Sequence, residues 1–422
     1  MFFRTYTLGC KVNQYETQLV REGLVQLGYT EAGEHGIADI VLVNTCTVTA
    51  ESDLKSRKAV RKLIRENHGA TAVVMGCSAA KKPAVYQQIS GVCEVITDKR
   101  QIPAFLQQLG LTGLPKGIQS FGERHRAYIK IQDGCPNRCS YCIIPKVRPV
   151  LSSRPMNEII DEVKQLSRNG YREIVLTGIH LGYYGTEQIS PLTEQVPSLT
   201  FLLKRIVQLD EPFRIRLSSL EAAEVSDELI DVMTVNPDRI CPHLHLSMQS
   251  GSDTVLQRMK RRYKRETFIQ RCKGLQRQFD CLALTTDVIV GFPGETEKEF
   301  EETCSTVRDI GFSKVHIFRF SAREGTEAAT LPNPVPPPVQ KRRAETLEKI
   351  TAELRQQYAA SLSGRTLSVL LETPNSGTAD RYLKTILNEP AAASQVGQLV
   401  NVRVESVQDD VLVGNFRGQV PL

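Results

Sequence analysis

Hydrophobic and polar positions follow two successive series of strand and helix patterns, and the first series occupies the start of the chain. Short apolar runs typical of buried strands alternate there with helical periodicity. The strands are predicted at residues 2–8, 38–44 and 71–75, and the helices at 14–27 and 52–66. Because strand–helix–strand alternation is typical of parallel sheets, we expect a parallel α/β domain over residues 1–112.

The second series predicts a partial parallel barrel over residues 126–331, behind a glycine-containing linker at 113–125. Six strands are expected at 127–132, 173–177, 214–218, 243–248, 284–290 and 314–320. Helices are expected between them at 156–169, 199–209, 226–235, 265–279 and 295–310. Six such repeats indicate a (βα)6-type barrel, whose carboxyl strand ends are the usual place for an active site.

The residues after the predicted barrel form two further regions with different sequence patterns. The proline-rich segment 331–339 can continue neither a helix nor a strand, and a charged helix is predicted behind it at 340–362. We therefore expect a spacer and helix over 332–362. Short alternating patterns punctuated by glycines then predict a small all-β barrel over 363–422.

Composition narrows the class of protein. The 422 residues are 41% hydrophobic and 24% charged, the balance of a soluble globular protein. No apolar run reaches the ~18–20 residues of a membrane span, and the N-terminus lacks the basic start of a secretory signal. We therefore expect a cytoplasmic protein without a membrane partner. A net charge of +6 permits an anionic partner without requiring one.

Eleven cysteines indicate metal or redox chemistry, because disulfides rarely persist in the cytosol. Cys135, Cys139 and Cys142 form a C-x3-C-x2-C motif directly after the first predicted barrel strand. Three thiolates on a tight loop can hold three irons of a cubane cluster and leave the fourth iron open. A zinc site is the alternative, but structural zinc is almost always four-coordinate, and no fourth Cys or His lies nearby in sequence.

A second group of cysteines shares a position rather than a spacing. Cys10, Cys46 and Cys77 each lie just past the carboxyl end of a predicted strand, the edge where parallel sheets bind ligands. The alternative is three partly buried thiols in a core. The other five cysteines match no ligand pattern and are read as small hydrophobic residues: Cys93, Cys241, Cys272, Cys281 and Cys304.

Motifs along nearly the whole chain resemble the radical S-adenosylmethionine methylthiotransferase family. TLGCKVNQYET, VNTCTVT and MGCSA resemble its N-terminal domain. GCPNRCSYCIIP, IVLTGIHLGYYG, HLHLSMQSGSDTVLQRMKRRY and DVIVGFPGETEKEF resemble its radical domain. The terminal residues are similar to the TRAM RNA-binding barrel, although the segment is short. Pro149 stands where the family usually has a glycine after the arginine, so a different loop backbone is expected there.

The N-terminal motifs most resemble the branch that acts on N6-threonylcarbamoyladenosine of tRNA. This resemblance implies transfer of a methylthio group to carbon 2 of that adenine, next to the anticodon. It also implies two 4Fe–4S clusters: a radical-generating cluster on Cys135, Cys139 and Cys142, and an auxiliary cluster, which carries or donates sulfur, on Cys10, Cys46 and Cys77. S-adenosylmethionine would supply both methyl group and radical, a reductant protein or small molecule would supply electrons, and a monomer is favoured.

S-adenosylmethionine is expected across the strand ends above the cysteine loop. From their position and the superfamily resemblance, the candidate contacts are Tyr141, Thr177, Gly178, Ser218, Ser219, Gln249, Gly291 and Gly294. The GFPGE segment that contains the last two is equally consistent with a tight turn. His243 and His245 lie on one strand face, and we read them as packing or hydrogen-bonding residues rather than as a metal pair.

Three basic segments are candidates for RNA phosphate contacts, although each alone is typical of a solvated surface. They are Lys55, Arg57, Lys58, Arg61, Lys62 and Arg65; Lys260, Arg261, Arg262, Lys264 and Arg265; and Lys341, Arg342 and Arg343. Four other readings stay open. The same chemistry could act on isopentenyladenosine in tRNA or on a ribosomal protein, or the chain could be a non-catalytic iron–sulfur RNA-binding protein or a zinc-stabilised one.

Overall fold

The computed structural model describes residues 1–33, 36–113, 115–122, 124–188 and 198–420. Residues 114 and 123 of the expected linker and the last two residues of the expected terminal barrel lie outside this described part. Within it, no helix is both long enough and apolar enough to cross a membrane.

The N-terminal sheet is fully parallel, as the alternating pattern predicts, with the strand order β2-β1-β3-β4-β5. Its strands are β1 (Phe2–Thr7), β2 (Thr30–Glu31), β3 (Ile40–Thr45), β4 (Thr71–Gly76) and β5 (Val92–Ile96). Its helices are α1 (Lys11–Gln26), α2 (Ala50–Glu66), α3 (Cys77–Lys81), α4 (Pro83–Gln87) and α5 (Ile102–Gln108). The edge strands β2 and β5 were not predicted, because β2 is only two residues long and β5 is half exposed.

The central region is a partial parallel barrel. Its strands are β6 (Arg126–Asp133), β7 (Ser152–Ser153), β8 (Glu173–Gly178), β9 (Arg214–Leu217), β10 (Ser219–Leu220), β11 (His243–Leu246), β12 (Ala283–Val290) and β13 (Lys314–Arg319). Its helices are α6 (Ile144–Val147), α7 (Met156–Arg168), α8 (Leu199–Ile206), α9 (Asp227–Val235), α10 (Asp253–Arg258), α11 (Arg265–Gln278) and α12 (Glu297–Ile310). All pairs are parallel except β7 with β6.

The third predicted barrel strand is divided in two. Ser218 separates β9 from β10, so the strands form one sheet ordered β7-β6-β8-β9 and another ordered β10-β11-β12-β13. A parallel bridge between Ile215 and Ile240 joins the two halves. The six-strand prediction is therefore confirmed with one interruption, and the main hydrophobic core fills this barrel.

The C-terminal region is a helix followed by a closed barrel, ordered β14-β15-β16-β18-β17. The elements are α13 (Pro337–Ala360), β14 (Thr366–Thr373), β15 (Ser376–Ala379), β16 (Lys384–Leu387), β17 (Leu399–Gln408) and β18 (Val411–Gln419). One expectation was wrong: α13 begins at Pro337, within the segment expected to be non-helical. Proline is accepted in a first helical turn, because its fixed φ suits the helix and its missing N–H would be unbonded there anyway.

Candidate functional site

The two predicted cysteine groups border one interface between the N-terminal sheet and the barrel. Cys10, Cys46 and Cys77 follow the carboxyl ends of β1, β3 and β4, and the Cys135–Cys142 loop follows β6. Helix α3, which begins at Cys77, packs against α6, which begins just after Cys142. Cys77 shares a small apolar cluster with Ile143 and Val147. Parallel topology thus brings the cysteine-bearing edges of two domains together.

A left-handed glycine immediately precedes three of these cysteines. Gly9, Gly76 and Gly134 have φ values of +116°, +103° and +76°. A Cβ on Gly76 would lie 2.3 Å from the carbonyl oxygen of Thr45, and one on Gly134 would lie 2.1 Å from that of Val150. Only glycine tolerates both the φ and the close approach, so the Gly–Cys pairs turn the chain sharply at the strand end.

The N-terminal thiols are close enough to affect one another's charge. Cys10 is exposed to solvent, yet its packed surroundings raise the pKa of its thiol, and Cys77 raises this pKa further. Burial also raises the pKa of Cys46, with further contributions from Cys77 and Cys10. The raised pKa values favour the thiol form of Cys10 and Cys46, and binding as thiolates requires a cation or a metal cluster to replace their protons.

The second loop, Cys135–Cys142, is anchored to the barrel by backbone and side-chain bonds. The Ser140 N–H donates to the Met259 carbonyl at 3.1 Å, and its hydroxyl donates to the Arg258 carbonyl at 2.7 Å. Burial raises the pKa of Cys142 to about 12, and the other two cysteines of the loop raise it as well. The Arg261 guanidinium lies 3.5 Å from the Cys139 sulfur. His180 Nδ1 lies 3.7 Å from the Cys135 sulfur.

Thiolates are the donors that iron–sulfur clusters take in proteins, so the donor set of each cysteine group fits such a cluster. In the described ranges, no three His, Cys, Asp or Glu side chains converge closely enough for one metal ion. Within the described part of the chain, the Lys99 ammonium is buried near Cys77 without a hydrogen-bond partner. An anionic cluster held by thiolates would balance this charge.

A cavity of about 200 Å³ opens beside the second loop. Three predicted site residues line it: Tyr141, Cys142 and Gln249. Gln249 is held at φ +64°, where its backbone bonds to Asp287 and Ile289 on both sides. A non-glycine residue in this conformation stores strain, and such strain concentrates at functional sites. Gln249 is therefore the predicted contact that the backbone geometry favours most.

The other predicted cofactor contacts do not line this cavity. Thr177 and Ser218 are buried at the ends of β8 and β9, Gly178 lies against Gln132, and Ser219 is exposed. Their assignment stays a prediction.

The GFPGE segment forms a turn that packs against α13. The Gly291 N–H donates to Glu295 Oε2 at 2.6 Å, and Arg343 of α13 binds the same carboxylate at 2.8 Å. A Cβ on Gly291 would lie 2.4 Å from the Gln340 side chain, and the Gly294 N–H donates to the Asn333 carbonyl. Gly291 and Gly294 also have φ values of +75° and +74°, as the tight turn that was the alternative reading requires. Their assignment to S-adenosylmethionine stays a prediction.

Several cavity residues were missed at the sequence level. Asp287 lies 3.4 Å from His245 Nε2, and Phe318 and Arg319 end β13 at the cavity. Asp287 could have been found from its inward position in the TTDVIV strand, but Phe318 and Arg319 carry no motif. His243 and His245 both lie within hydrogen-bond distance of the Thr285 hydroxyl, at 3.2 and 3.0 Å. This agrees with the hydrogen-bonding role favoured from the sequence.

Of the three basic segments, the one on α2 stays most exposed. Helix α2 begins beside Thr49, which lines the cavity, and its side borders a groove of about 820 Å³. Lys58, Arg61 and Arg65 are exposed there and form no ion pair with any residue that the structure describes. In the second segment, by contrast, Arg261 is buried against Glu221. The third is partly internal as well, because Arg343 is buried against Glu295.

Comparison with known proteins gives a consistent result over nearly the whole chain. Residues 129–307 match the radical SAM superfamily, and residues 3–97 match the uncharacterized protein family UPF0004. The threonylcarbamoyladenosine tRNA methylthiotransferase MtaB of Bacillus subtilis (strain 168) is 37% identical, over 94% of this chain and 92% of the relative. The protein of that name from Thermotoga maritima is 35% identical, over 99% and 98%.

The fold also resembles solved structures. The radical S-adenosylmethionine methyltransferase TsrM from Kitasatospora setae, with bound cobalamin and a 4Fe–4S cluster, superimposes with a TM-score of 0.55. The match covers 78% of this chain and 77% of that one. At 13% identity it is a likeness of fold alone.

Proposed function

Because this chain belongs to the radical S-adenosylmethionine methylthiotransferase family that includes MtaB, we propose that it modifies N6-threonylcarbamoyladenosine in tRNA. The reaction places a methylthio group on carbon 2 of the adenine next to the anticodon. The observation that carries this proposal is the meeting of two cysteine triads at one interface beside a cavity. Generating the radical requires only one such triad, so the second is available for sulfur insertion.

The triads have separate roles in this proposal. Cys135, Cys139 and Cys142 hold the radical-generating cluster at the barrel edge, and Cys10, Cys46 and Cys77 hold the auxiliary cluster in the domain of residues 1–112. When bound, the clusters and S-adenosylmethionine supply the hydrogen acceptor, sulfur and methyl group that an unactivated aromatic C–H bond requires. The apolar groups around the cysteine loop, among them Ile143, exclude water from this chemistry.

The cavity residues bind and orient S-adenosylmethionine and the adenine of the substrate. Tyr141 and Gln249 lie on the side of the cysteine loop and are assigned to S-adenosylmethionine. Phe318 is 41% exposed at the cavity and offers an aromatic face on which an unstacked adenine can lie. Arg319 beside it adds positive charge near the substrate backbone, and Asp287 offers a carboxylate acceptor inside the cavity.

The groove along α2 is assigned to tRNA phosphates. Its cations begin near the cavity and continue away from it, which suits a nucleic-acid strand whose one base enters the cavity. The C-terminal barrel over 363–422 is assigned a supporting RNA contact. Electrons come from a reductant protein or small molecule, and the chain acts as a monomer in this proposal.

The test combines iron content with product analysis. After anaerobic reconstitution we expect about eight irons per chain, falling to about four in Cys10→Ala/Cys46→Ala/Cys77→Ala. Cys93→Ala is the matched control, because this cysteine is exposed and lies outside both triads. Nucleoside mass spectrometry should show the methylthio product only with the intact chain and tRNA carrying N6-threonylcarbamoyladenosine. About four irons in both proteins, or product only on isopentenyladenosine tRNA, would contradict the proposal.

A further inference from the structure

A buried arginine crosses the interface to reach one of the auxiliary cysteines. Arg148 follows α6 in the barrel region, and its side chain is 1% exposed. Its Nε donates to the Cys77 sulfur at 3.4 Å. Its other nitrogens bind Glu16 at 2.7 and 2.8 Å and Asn13 at 3.1 Å, all on α1 of the first domain. The barrel region thus supplies a donor to a sulfur that belongs to the other domain.

The surrounding buried charges do not cancel. Arg148 and Lys130 form ion pairs with Glu16 and Asp133, and Lys99 interacts electrostatically with Arg148 and both carboxylates. The group thus holds three positive and two negative charges. The cationic neighbours hold the pKa of both carboxyls below its usual value, so both are ionised. Three minus two leaves one positive charge in a buried network. Such a charge is unfavourable unless an anion lies against it.

The uncompensated positive charge of this network lies near Cys77. The Lys99 side chain is about nine-tenths buried, and its ammonium has no hydrogen-bond partner among the residues that the structure describes. Burial lowers the pKa of Lys99, and the nearby Cys77 acts in the opposite direction. Lys99, Arg148 and Asp133 line a cavity of about 250 Å³ between the two domains. Arg148 therefore binds the Cys77 sulfur from the barrel side, and Lys99 lies within electrostatic range of Cys77 on the N-terminal side of the interface.

We propose that Arg148 and Lys99 are positioning residues that complete the auxiliary-cluster site across the domain interface. This inference rests on the proposed function, because it requires a cluster on Cys10, Cys46 and Cys77. A hydrogen bond and positive charge at a ligating sulfur stabilise the more negative, reduced cluster and so raise its reduction potential. The site is complete only when the barrel is docked, so the barrel controls the electronic state of a cluster that it does not ligate.

The test measures the auxiliary cluster alone in the full-length chain. The parent is Cys135→Ala/Cys139→Ala/Cys142→Ala, which keeps only the auxiliary triad. Arg148→Gln and Lys99→Met are introduced into this parent. The matched control is Arg154→Gln, since Arg154 also crosses the interface, donates to Tyr15 at 2.8 Å and to Glu162, and contacts no cysteine. The readouts are the midpoint potential by EPR-monitored titration and the rate of iron loss to a chelator.

We expect both variants to shift the midpoint potential to a more negative value and to lose iron about tenfold faster than the parent. Arg154→Gln should match the parent in both readouts. Arg148→Lys should recover part of the potential, because it keeps the charge but not the planar donor pair.

Distinct outcomes separate this inference from the function on which it rests. Parent-like potentials in Arg148→Gln and Lys99→Met, or an equal shift in Arg154→Gln, would overturn the inference. A parent that binds no cluster would overturn the proposed function instead. If Arg148→Gln does not fold, Lys99→Met decides alone, since removing an ammonium without a partner breaks no hydrogen bond.

Discussion

At the residue scale, the conformation of single glycines decides where the cysteines point. The pairs Gly9–Cys10, Gly76–Cys77 and Gly134–Cys135 each end a parallel strand with a left-handed turn. The next residue then faces the carboxyl edge of the sheet instead of continuing the strand. The Gly–Cys pairs are visible in the sequence. The requirement for glycine, however, comes from the close approach of neighbouring backbone in the folded protein.

Gly76→Ala should strongly destabilise the N-terminal domain and its cysteine site. The new Cβ would meet the Thr45 carbonyl oxygen at 2.3 Å, in addition to the unfavourable φ of +103°. Gly69→Ala is the control, because Gly69 has a φ of +82° but no atom within 4 Å of an added Cβ. The control should lose about 1 kcal/mol, and Gly76→Ala more than about 2 kcal/mol. Thermal unfolding and iron content measure the difference, and equal losses would refute the role of close approach.

At the element scale, α2 combines a structural face with an exposed basic one. Thr49 caps its first turn by accepting from the Ser52 N–H, and Ser56, Val60 and Leu63 bury one side. Lys58, Arg61 and Arg65 lie outside this buried side and are exposed. Helical spacing places Lys58, Arg61 and Arg65 together, three and four residues apart.

Replacing Lys58, Arg61 and Arg65 with glutamine should weaken tRNA binding and flatten its salt dependence. If each contacts one phosphate, the slope of log affinity against log salt should fall in magnitude by about 2. Fluorescence anisotropy with tRNA at several salt concentrations measures this slope. Arg205→Gln/Lys273→Gln/Arg277→Gln removes equal charge from α8 and α11 outside the barrel and should leave the slope unchanged. An unaltered slope in the α2 variant would exclude this groove as the phosphate contact.

Helix α12 gives a pH-dependent prediction. Thr296 and Glu299 form a reciprocal cap, and hydrogen bonds from Arg258 and Thr254 hold the pKa of Glu299 at about 2. Because the folded pKa lies below the unfolded one, this stabilisation is complete above about pH 4.5 and lost as pH falls through about 2. Glu299→Gln should lower stability by about 1 kcal/mol at neutral pH. Thermal unfolding from pH 2 to 7 should show the two proteins converge in acid, and a constant gap would contradict the assignment.

At the scale of the whole molecule, buried charges join the barrel to the C-terminal domain. Glu173 is fully buried between Arg214 and Arg216, with 2.8 Å contacts from each Nε. The outer nitrogens of these arginines donate to the carbonyls of Ser368 and Asp380 in the C-terminal barrel. The C-terminal barrel is therefore docked through hydrogen bonds from Arg214 and Arg216, and Glu173 holds the guanidinium groups of both arginines in place.

Glu173→Gln should destabilise the chain by about 3–5 kcal/mol, because it leaves two buried arginines without their counter-ion. Limited proteolysis should then cleave earlier between α13 and β14 than in the parent. Glu372→Gln is the control, since Glu372 pairs with Arg126 at 3.1 Å but is one-third exposed. Its loss should stay below about 1 kcal/mol. Similar proteolysis and melting in both variants would rule out the buried cluster as the docking element.

The sequence alone determined the order of the principal strands and helices, the cysteine triad on one loop and the strand-end placement of Cys10, Cys46 and Cys77. Those features follow from hydrophobic periodicity and from residue spacing over short stretches of chain, where residues close in sequence determine the local structure. Only the tertiary structure decided that the two triads border one interface, that Arg148 reaches Cys77 and that Asp287, Phe318 and Arg319 line the cavity. These contacts join residues far apart in the chain, and their energies come from burial and charge pairing that exist only once the domains are packed.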